Sequence, residues 1–347
     1  MGHADLGTET VLVTGAGGYI GSVLVGMLLQ QGAKVVALDR FFFGQNPLKE
    51  FTDNTNLIIR KKDIRDLTPD DFSGITSVLD LAAFSNDPAG DLNPSLTWDV
   101  NRDGRTNVAR AAKKAGVARF VMSSTCSIYG AAEDGISDET SPANPLSVYA
   151  KSNYAAETAL FEMGDSGFAV TSLRNATVFG ASPRMRFDLV VNLMTLNAFE
   201  KGSIVIMGGG KQWRPLVHVR DVCRGLIALM TAPADVVNSQ CYNIGIGNYQ
   251  VRTIGAIVRE IVPFGVTMQI APDDPDNRNY RVSFDRLKTE VGFEATVTIE
   301  DGVREVYNAL KFGDIENAPD CSTVKWYKHI LDAQKLLASI ELNGRLL

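Results

Sequence analysis

A chain of 347 residues is long enough for one large or two modest domains, and 45% hydrophobic with 21% charged residues is an ordinary globular balance. A net charge of −6 without a basic block argues against nucleic acid as a partner, and no apolar run reaches the ~18 residues that a membrane span needs. The first residues, MGHADLGTET, do not form a secretory signal, and Cys126, Cys223, Cys241 and Cys321 lack the close pairing of a zinc site or disulfide framework, so a cytoplasmic protein without metal is expected.

Val11 to Val13 is a short apolar run that reads as a buried strand. Thr14 to Gly21 then turns sharply, residues 20–30 read as a helix ending at Gly32, and a second strand from Lys34 to Leu38 stops at Asp39. Strand, glycine turn, helix, strand and an acid 18 residues after the last glycine make a dinucleotide-binding unit. Gly15 permits the tight turn, Gly18 lets backbone approach a pyrophosphate, and Gly21 lets helix and strand pack closely. Tyr19 and Ile20 lie where the turn enters the helix, whose free N–H groups and partial positive charge suit phosphate. Asp39 should accept from the adenosine ribose hydroxyls, which favours NAD over NADP. Arg40 could stack on adenine or meet a 2′-phosphate.

Leu57 to Arg60 reads as a third strand, followed by Asp63-Ile64-Arg65-Asp66, where Asp63 can cap a turn. Ser77 to Ala83 reads as a fourth strand, bringing Leu81, Ala82 and Ala83 beneath the cofactor, and Phe84 to Pro88 is a polar loop. One helix is expected over 94–116, a fifth strand over Arg119 to Ser123, a helix over Tyr149 to Phe161, and a sixth strand over Ala169 to Arg174. This alternation implies an α/β fold, a Rossmann-type doubly wound parallel sheet with helices on both faces. After Asn175 the pattern changes to the loop SPRMRFD, a helix over about 188–201 and a glycine run at 208–210. Pro215 to Val219 and a helix from Asp221 to Met230 are expected to return to the sheet. The rest is shorter in period and suits a smaller mixed α/β substrate lobe, with Lys325 to Leu347 as an amphipathic structural helix. The expected division is 8–178 plus 215–248 for the nucleotide-binding domain, and 179–214 plus 249–347 for the lobe.

The glycines are spaced G-x-x-G-x-x-G. With DLAAFSND, VMSSTCSIYG, Tyr149 and its helix, RNATVFG and RPLVHVRDV, they cover Thr14 to about Leu310. Together these resemble the extended short-chain dehydrogenase/reductase superfamily: UDP-galactose 4-epimerases, sugar 4,6-dehydratases and sugar-4-ketoreductases. The resemblance implies NAD as cofactor and a nucleoside-diphosphate sugar as substrate. It implies that Asp63 and Ile64 lie at the adenine, that Asn101 in VNRDG supports the catalytic strand, that Thr125 hydrogen-bonds the sugar hydroxyl to be oxidised, and that Tyr149 takes its proton. Arg105 stands where threonine is usual.

A phenol with a pKa near 10 is a weak base at neutral pH. The resembling family corrects this with a lysine four residues after the tyrosine, on the same helical face. Here that residue is Asn153, which can hold the nicotinamide ribose but brings no charge, and Lys151 lies about 200° around the helix. Three readings follow: activation of Tyr149 by NAD+ or another cation, chemistry that leans less on Tyr149, or binding without turnover. On the first, Asn153→Lys should raise activity or lower the pH optimum.

The dehydratases carry an Asp-Glu pair after the threonine; Cys126-Ser127 stands there instead, so 4,6-dehydration is not expected, and Cys126 reads as a buried structural thiol. Arg214 and Arg278 are the arginines implied for the diphosphate. Asn175 and Arg184 are further substrate candidates, as are Ser85 and Asp87 in the polar loop, Asp87 being a possible acid/base. His218 reads as a packing element. The activity expected is epimerisation through transient oxidation at the sugar C4 hydroxyl. A nucleotide-sugar oxidoreductase or 4-ketoreductase is the alternative, and a non-catalytic NAD- or sugar-binding protein a second. Residues 94–116 and 149–163 correspond to the helices through which relatives pair, so a homodimer is expected.

Overall fold

The computed structural model describes residues 5–130, 135–272, 279–342 and 345. The chain begins with β1 (Thr10–Thr14), α1 (Tyr19–Gln30), β2 (Lys34–Asp39), β3 (Leu57–Lys61) and β4 (Ser77–Asp80). Two short helices, α2 (Asp87–Gly90) and α3 (Pro94–Trp98), lead through a π-helical turn at Asp99–Gly104 into α4 (Arg105–Lys114), then β5 (Arg119–Thr125), α5 (Val148–Phe161) and β6 (Ala169–Asn175). The second half holds β7 (Thr177–Phe179), α6 (Val190–Lys201), β8 (Ser203–Ile206), β9 (Trp213–His218), α7 (Val219–Thr231), α8 (Ala234–Val237), β10 (Gln240–Ile244) and β11 (Gly247–Gln250). It closes with α9 (Val251–Ile261), β12 (Thr267–Ile270), α10 (Asp285–Val291), α11 (Ile299–Phe312) and α12 (Thr323–Ile340).

Among the described residues, seven strands form one parallel sheet in the order β10-β6-β5-β4-β1-β2-β3. Alternation along β1 shows why it is buried on both faces. Val11 and Val13 pack under α1 and α7 with Leu24, Leu28, Val222 and Leu226. Leu12 points the other way, into the cluster made by Val108 and Ala112 of α4 and Ala156 and Leu160 of α5. Strand order reverses between β1 and β4, and in doubly wound sheets this switch point opens the ligand crevice.

Three expectations are corrected. The fourth strand stops at Asp80 rather than Ala83: the Leu81 N–H is shared between the Thr14 hydroxyl (3.0 Å) and carbonyl (3.3 Å), and the Ala82 N–H donates to the same hydroxyl (3.1 Å). The helix over 94–116 is broken by the π turn at 99–104. Residues 215–218 do not rejoin the large sheet: β9 pairs with β7 and β11 in a three-stranded sheet, and only α7 and β10 return. That small sheet and the β8–β12 pair belong to the lobe, whose core gathers Phe179, Val191, Ile204, Leu216, Ile254 and Val303. The lobe is tied to the glycine turn by Tyr19, whose hydroxyl donates to the Gly180 carbonyl (2.7 Å), and by Ser182, whose hydroxyl donates to the Tyr19 carbonyl (2.7 Å).

Candidate active site

The glycine turn and the carboxyl ends of β1, β2, β4, β5 and β6 line one cleft. Gly15 adopts φ +67°, and a Cβ there would fall 2.9 Å from the Ala82 nitrogen; one at Gly21 would fall 2.1 Å from the Gly15 carbonyl. Neither position admits a side chain. The first turn of α1 carries no side-chain cap and no acid, so nothing on the helix competes for an anion there. Gly15, Gly18, Tyr19, Ile20 and Gly21 line this end with Leu81, Ala82 and Ala83.

Asp39, at the end of β2, accepts from the backbone N–H of Gly17 (3.0 Å) and of Phe41 (2.7 Å). Burial pushes its carboxyl above the usual carboxylate range, and those N–H groups oppose the shift. Arg40 is engaged with Asp63 at 2.9 Å and lies over the Phe42 ring. Asp63 caps the turn at Ile64–Asp66 by accepting from the Arg65 N–H, and it also lines the cleft. The hydrogen-bonded Arg65 guanidinium holds its carboxyl down at about 2.

At the other end the cleft brings together Thr125, Tyr149, Asn153, Ser85, Asp87 and Asn175. Thr125 ends β5 and caps the following 3₁₀ turn, accepting from the Ser127 N–H (3.1 Å). Tyr149 sits in the first turn of α5, whose cap Ser147 donates its hydroxyl to Asp87. Burial pushes the Tyr149 phenol up, and the Asp87 charge adds to this; the Thr125 hydroxyl and the charges of Arg105 and Arg186 oppose it. Asn175 donates to the Ser123 hydroxyl and the Ser124 carbonyl.

Asn153 is not free to offer its amide oxygen. That oxygen accepts from Nη1 of Arg105 (2.7 Å), and its Nδ2 donates to the Tyr149 carbonyl (2.8 Å). Arg105 is fully buried, with Nε on Asp80 (2.6 Å) and Nη2 on the carbonyls of Asp80 and Ser123 (both 2.8 Å).

Other expected residues fall elsewhere. The Tyr19 phenol turns into the lobe, so only its backbone can face a ligand. Asn101 stands behind the lining and holds Phe84, accepting from its N–H (2.8 Å) and donating to its carbonyl (3.1 Å). Arg214 is buried outside the lining and donates to the Trp213 carbonyl. Arg278 lies outside the described residues. Arg184 does line the cleft, but over the Phe43 ring (3.6 Å), where its charge acts on Asp39 at the end away from Tyr149. Burial and the Arg186 charge lower its pKa to about 10. Cys126 is buried and donates to the Arg174 carbonyl, with its thiol pushed up by burial. His218 caps α7 and meets Glu305 at 2.7 Å.

Sequence reasoning missed Phe42, Phe43, Arg186 and Tyr327, all of which line the cleft. The FFFG run after Arg40 was a usable signal; Tyr327 belongs to the helix read as structural, and its distance along the chain hid it. Arg186, held by Asp188 at 2.9 Å, is the arginine of SPRMRFD whose charge reaches Tyr149.

Buried Ser124 Oγ, Asn175 Oδ1 and Arg184 Nε have no hydrogen-bond partner, and all three residues line the cleft. Orphan polar atoms beside a bare helix N-terminus and a ribose-type acid fit a dinucleotide with a polar co-ligand. Among the described residues no three His, Cys, Asp or Glu side chains gather as a metal site, and no helix is long and apolar enough to cross a membrane.

Comparison with known proteins gives a match over residues 11–245 to the model of the NAD dependent epimerase/dehydratase family. UDP-glucuronic acid decarboxylase 1 of Danio rerio is 27% identical over 310 residues, covering 86% of this chain and 71% of that protein. A putative UDP-glucose 4-epimerase of Methanocaldococcus jannaschii is 28% identical over 311 residues, covering 87% and 98%. The solved structure of MoeE5 in complex with UDP-glucose and NAD superposes with a TM-score of 0.75 at 28% identity, covering 88% of this chain and all of the other.

Proposed function

Since the chain belongs to the NAD-dependent epimerase/dehydratase family, we propose that it is a nucleotide-sugar epimerase acting through transient oxidation at the sugar C4 hydroxyl. It is an enzyme of the short-chain dehydrogenase/reductase type with NAD as cofactor. The observation that carries the finer reading is that Thr125 and Tyr149 line the same cleft as the glycine turn and Asp39. The turn and α1 N-terminus would hold the pyrophosphate, and Asp39 the adenosine ribose. Arg40 is already committed to Asp63, which supports NAD over its 2′-phosphate form.

Bound there, NAD supplies a hydride acceptor that can return the hydride. Tyr149 Oη takes the hydroxyl proton as the C4 carbon is oxidised, Thr125 holds the same oxygen, and return of the proton to the ketone oxygen completes the turnover. NAD held there would also give the hydride back to the opposite face of the ring, the change that inverts the carbon. Arg186, in a chain of net charge −6, supports binding of an anionic diphosphate by a local guanidinium rather than by the overall field. A homodimer through the helices of residues 94–116 and 149–163 and a cytoplasmic location belong to the same proposal.

The test is a thermal-shift panel of UDP-, GDP-, dTDP- and CDP-sugars with NAD and NADP, followed by product analysis on the stabilising sugar. We expect NAD retained through purification and a sugar inverted at one carbon without net cofactor consumption. Carbon dioxide released from UDP-glucuronic acid, or stoichiometric use of NADH, would overturn the epimerase reading and leave the family standing.

A further inference from the structure

We propose that Arg105 supplies, through Asn153, the positive charge and the polarised donor that the tyrosine base requires, so that a cation from the neighbouring α4 serves a helix that brings none of its own. The inference rests on the reading of Tyr149 as the base.

No cation of α5 can serve. Lys151 is exposed on the opposite side of the helix. The charged groups acting on Tyr149 are Asp87 beside it, Arg186 from the lobe and Arg105 from α4. Asp87 works against ionisation, and Arg186 is committed to Asp188. Arg105 is likewise paired, with Asp80, but its guanidinium also hydrogen-bonds a side chain of α5, and its geometry is directional. Asp80 holds the Nε side, and Asp80 is itself fixed by the Thr14 hydroxyl (2.6 Å), so the negative charge stays at the β1–β4 edge. The Nη1 side faces α5 and touches Asn153. The buried ion pair is therefore an oriented dipole with its positive end toward the tyrosine's helix, in a place where water does not screen it.

Asn153 converts that field into a hydrogen-bond donor. With its oxygen on the guanidinium, the amide can turn only its nitrogen elsewhere, and one N–H goes to the Tyr149 carbonyl. The second N–H is left for the cleft that Asn153 lines. A cation on the amide oxygen polarises the group and strengthens that N–H. The π turn makes this reach possible: Arg105 is the first residue after it, and an extra residue in the turn rotates everything beyond by about 100° relative to a regular helix.

The expectation for Asn153→Lys changes accordingly. Alone, that substitution sets an ammonium against the Arg105 guanidinium in a buried space. It should succeed only together with Arg105→Thr.

The experiment compares Arg105→Thr, Asn153→Lys, the double variant and Asn153→Ala. The Tyr149 phenol is titrated in each as the ultraviolet absorbance difference from the same protein carrying Tyr149→Phe, which needs no substrate; the acid limb of kcat/KM is measured in parallel. Arg105→Thr should raise the phenol pKa by about one unit and lower the rate at neutral pH about tenfold. Asn153→Lys alone should lose activity and thermal stability, and the double variant should recover to within about threefold of the unaltered protein. Arg105→Thr leaves Asp80 buried and unpaired and can fail to fold; Asn153→Ala keeps the ion pair and should still raise the phenol pKa and shift the acid limb to higher pH. An unchanged titration and acid limb in either folded single variant would overturn the proposal, as would a double variant no better than the product of its two singles. Activity surviving Tyr149→Phe would instead overturn the assignment of the base, and the titration would still report on Arg105.

Discussion

Asp63 is a residue whose two duties are compatible because a carboxylate has lone pairs to spare. It caps a turn through the Arg65 N–H, pairs with Arg65 and Arg40, and still borders the cleft. Its pKa of about 2 in the folded chain lies below the ~3.9 of an unfolded aspartate. The contribution is therefore fully present above about pH 4 and lost as pH falls toward 2. Asp63→Asn should lower stability at pH 7 by about 1 kcal/mol, the scale of a partly exposed pair. It should also flatten the acid side of the stability profile between pH ~4 and ~2; urea melts across that range check it. Arg105 teaches the opposite lesson: its type stood out in the chain, but its role depends on three partners from β4, β5 and α5.

At the scale of elements, α12 does more than close the chain. The Tyr327 ring packs against Phe84, Phe43 and Phe42 with centroids 4.9, 5.5 and 6.1 Å away, and the neighbouring Trp326 indole donates to the Phe42 carbonyl (2.7 Å). The terminal helix thus covers the aromatic wall beside Asp39 and Arg40. Tyr327→Ala should lower the melting temperature. It should also weaken NAD binding about three- to tenfold, the range expected for losing aromatic contacts; calorimetric titration with NAD checks it. Unchanged affinity would mean that the wall serves packing alone. The π turn is likewise an element with a purpose, since it sets the direction from which Arg105 enters.

For the whole molecule, the lobe and the large sheet meet at the glycine turn itself, through Tyr19 and Ser182, so the nucleotide end is braced by residues about 160 positions away. The outer surface of α3 and α5 leaves Trp98 and Tyr154 about 37% and 38% exposed on neighbouring helices. If these helices pair two copies, Trp98→Glu with Tyr154→Glu should give a monomer by sedimentation with the fold intact, since four carboxylates would face one another across a two-fold contact. A species of unchanged mass would place the contact elsewhere.

What the sequence determined by itself was whatever depends on local pattern. The glycine turn, the acid ending β2 and the alternation of strands and helices are fixed by short-range spacing and backbone sterics, while Thr125, Tyr149 and Asn153 were singled out by the family resemblance of their motifs. The tertiary structure alone decided which distant groups share a dry space. It sent the Tyr19 phenol and Arg214 away from the cleft, moved Arg184 to the Asp39 end, brought in Arg186 and Tyr327, stopped β4 at the Thr14 hydroxyl, and put Arg105 behind Asn153. Partnerships of this kind are hydrogen bonds and ion pairs formed across 25 to nearly 300 residues of chain. They follow from the angle at which helices cross the sheet, and no short window of sequence encodes it.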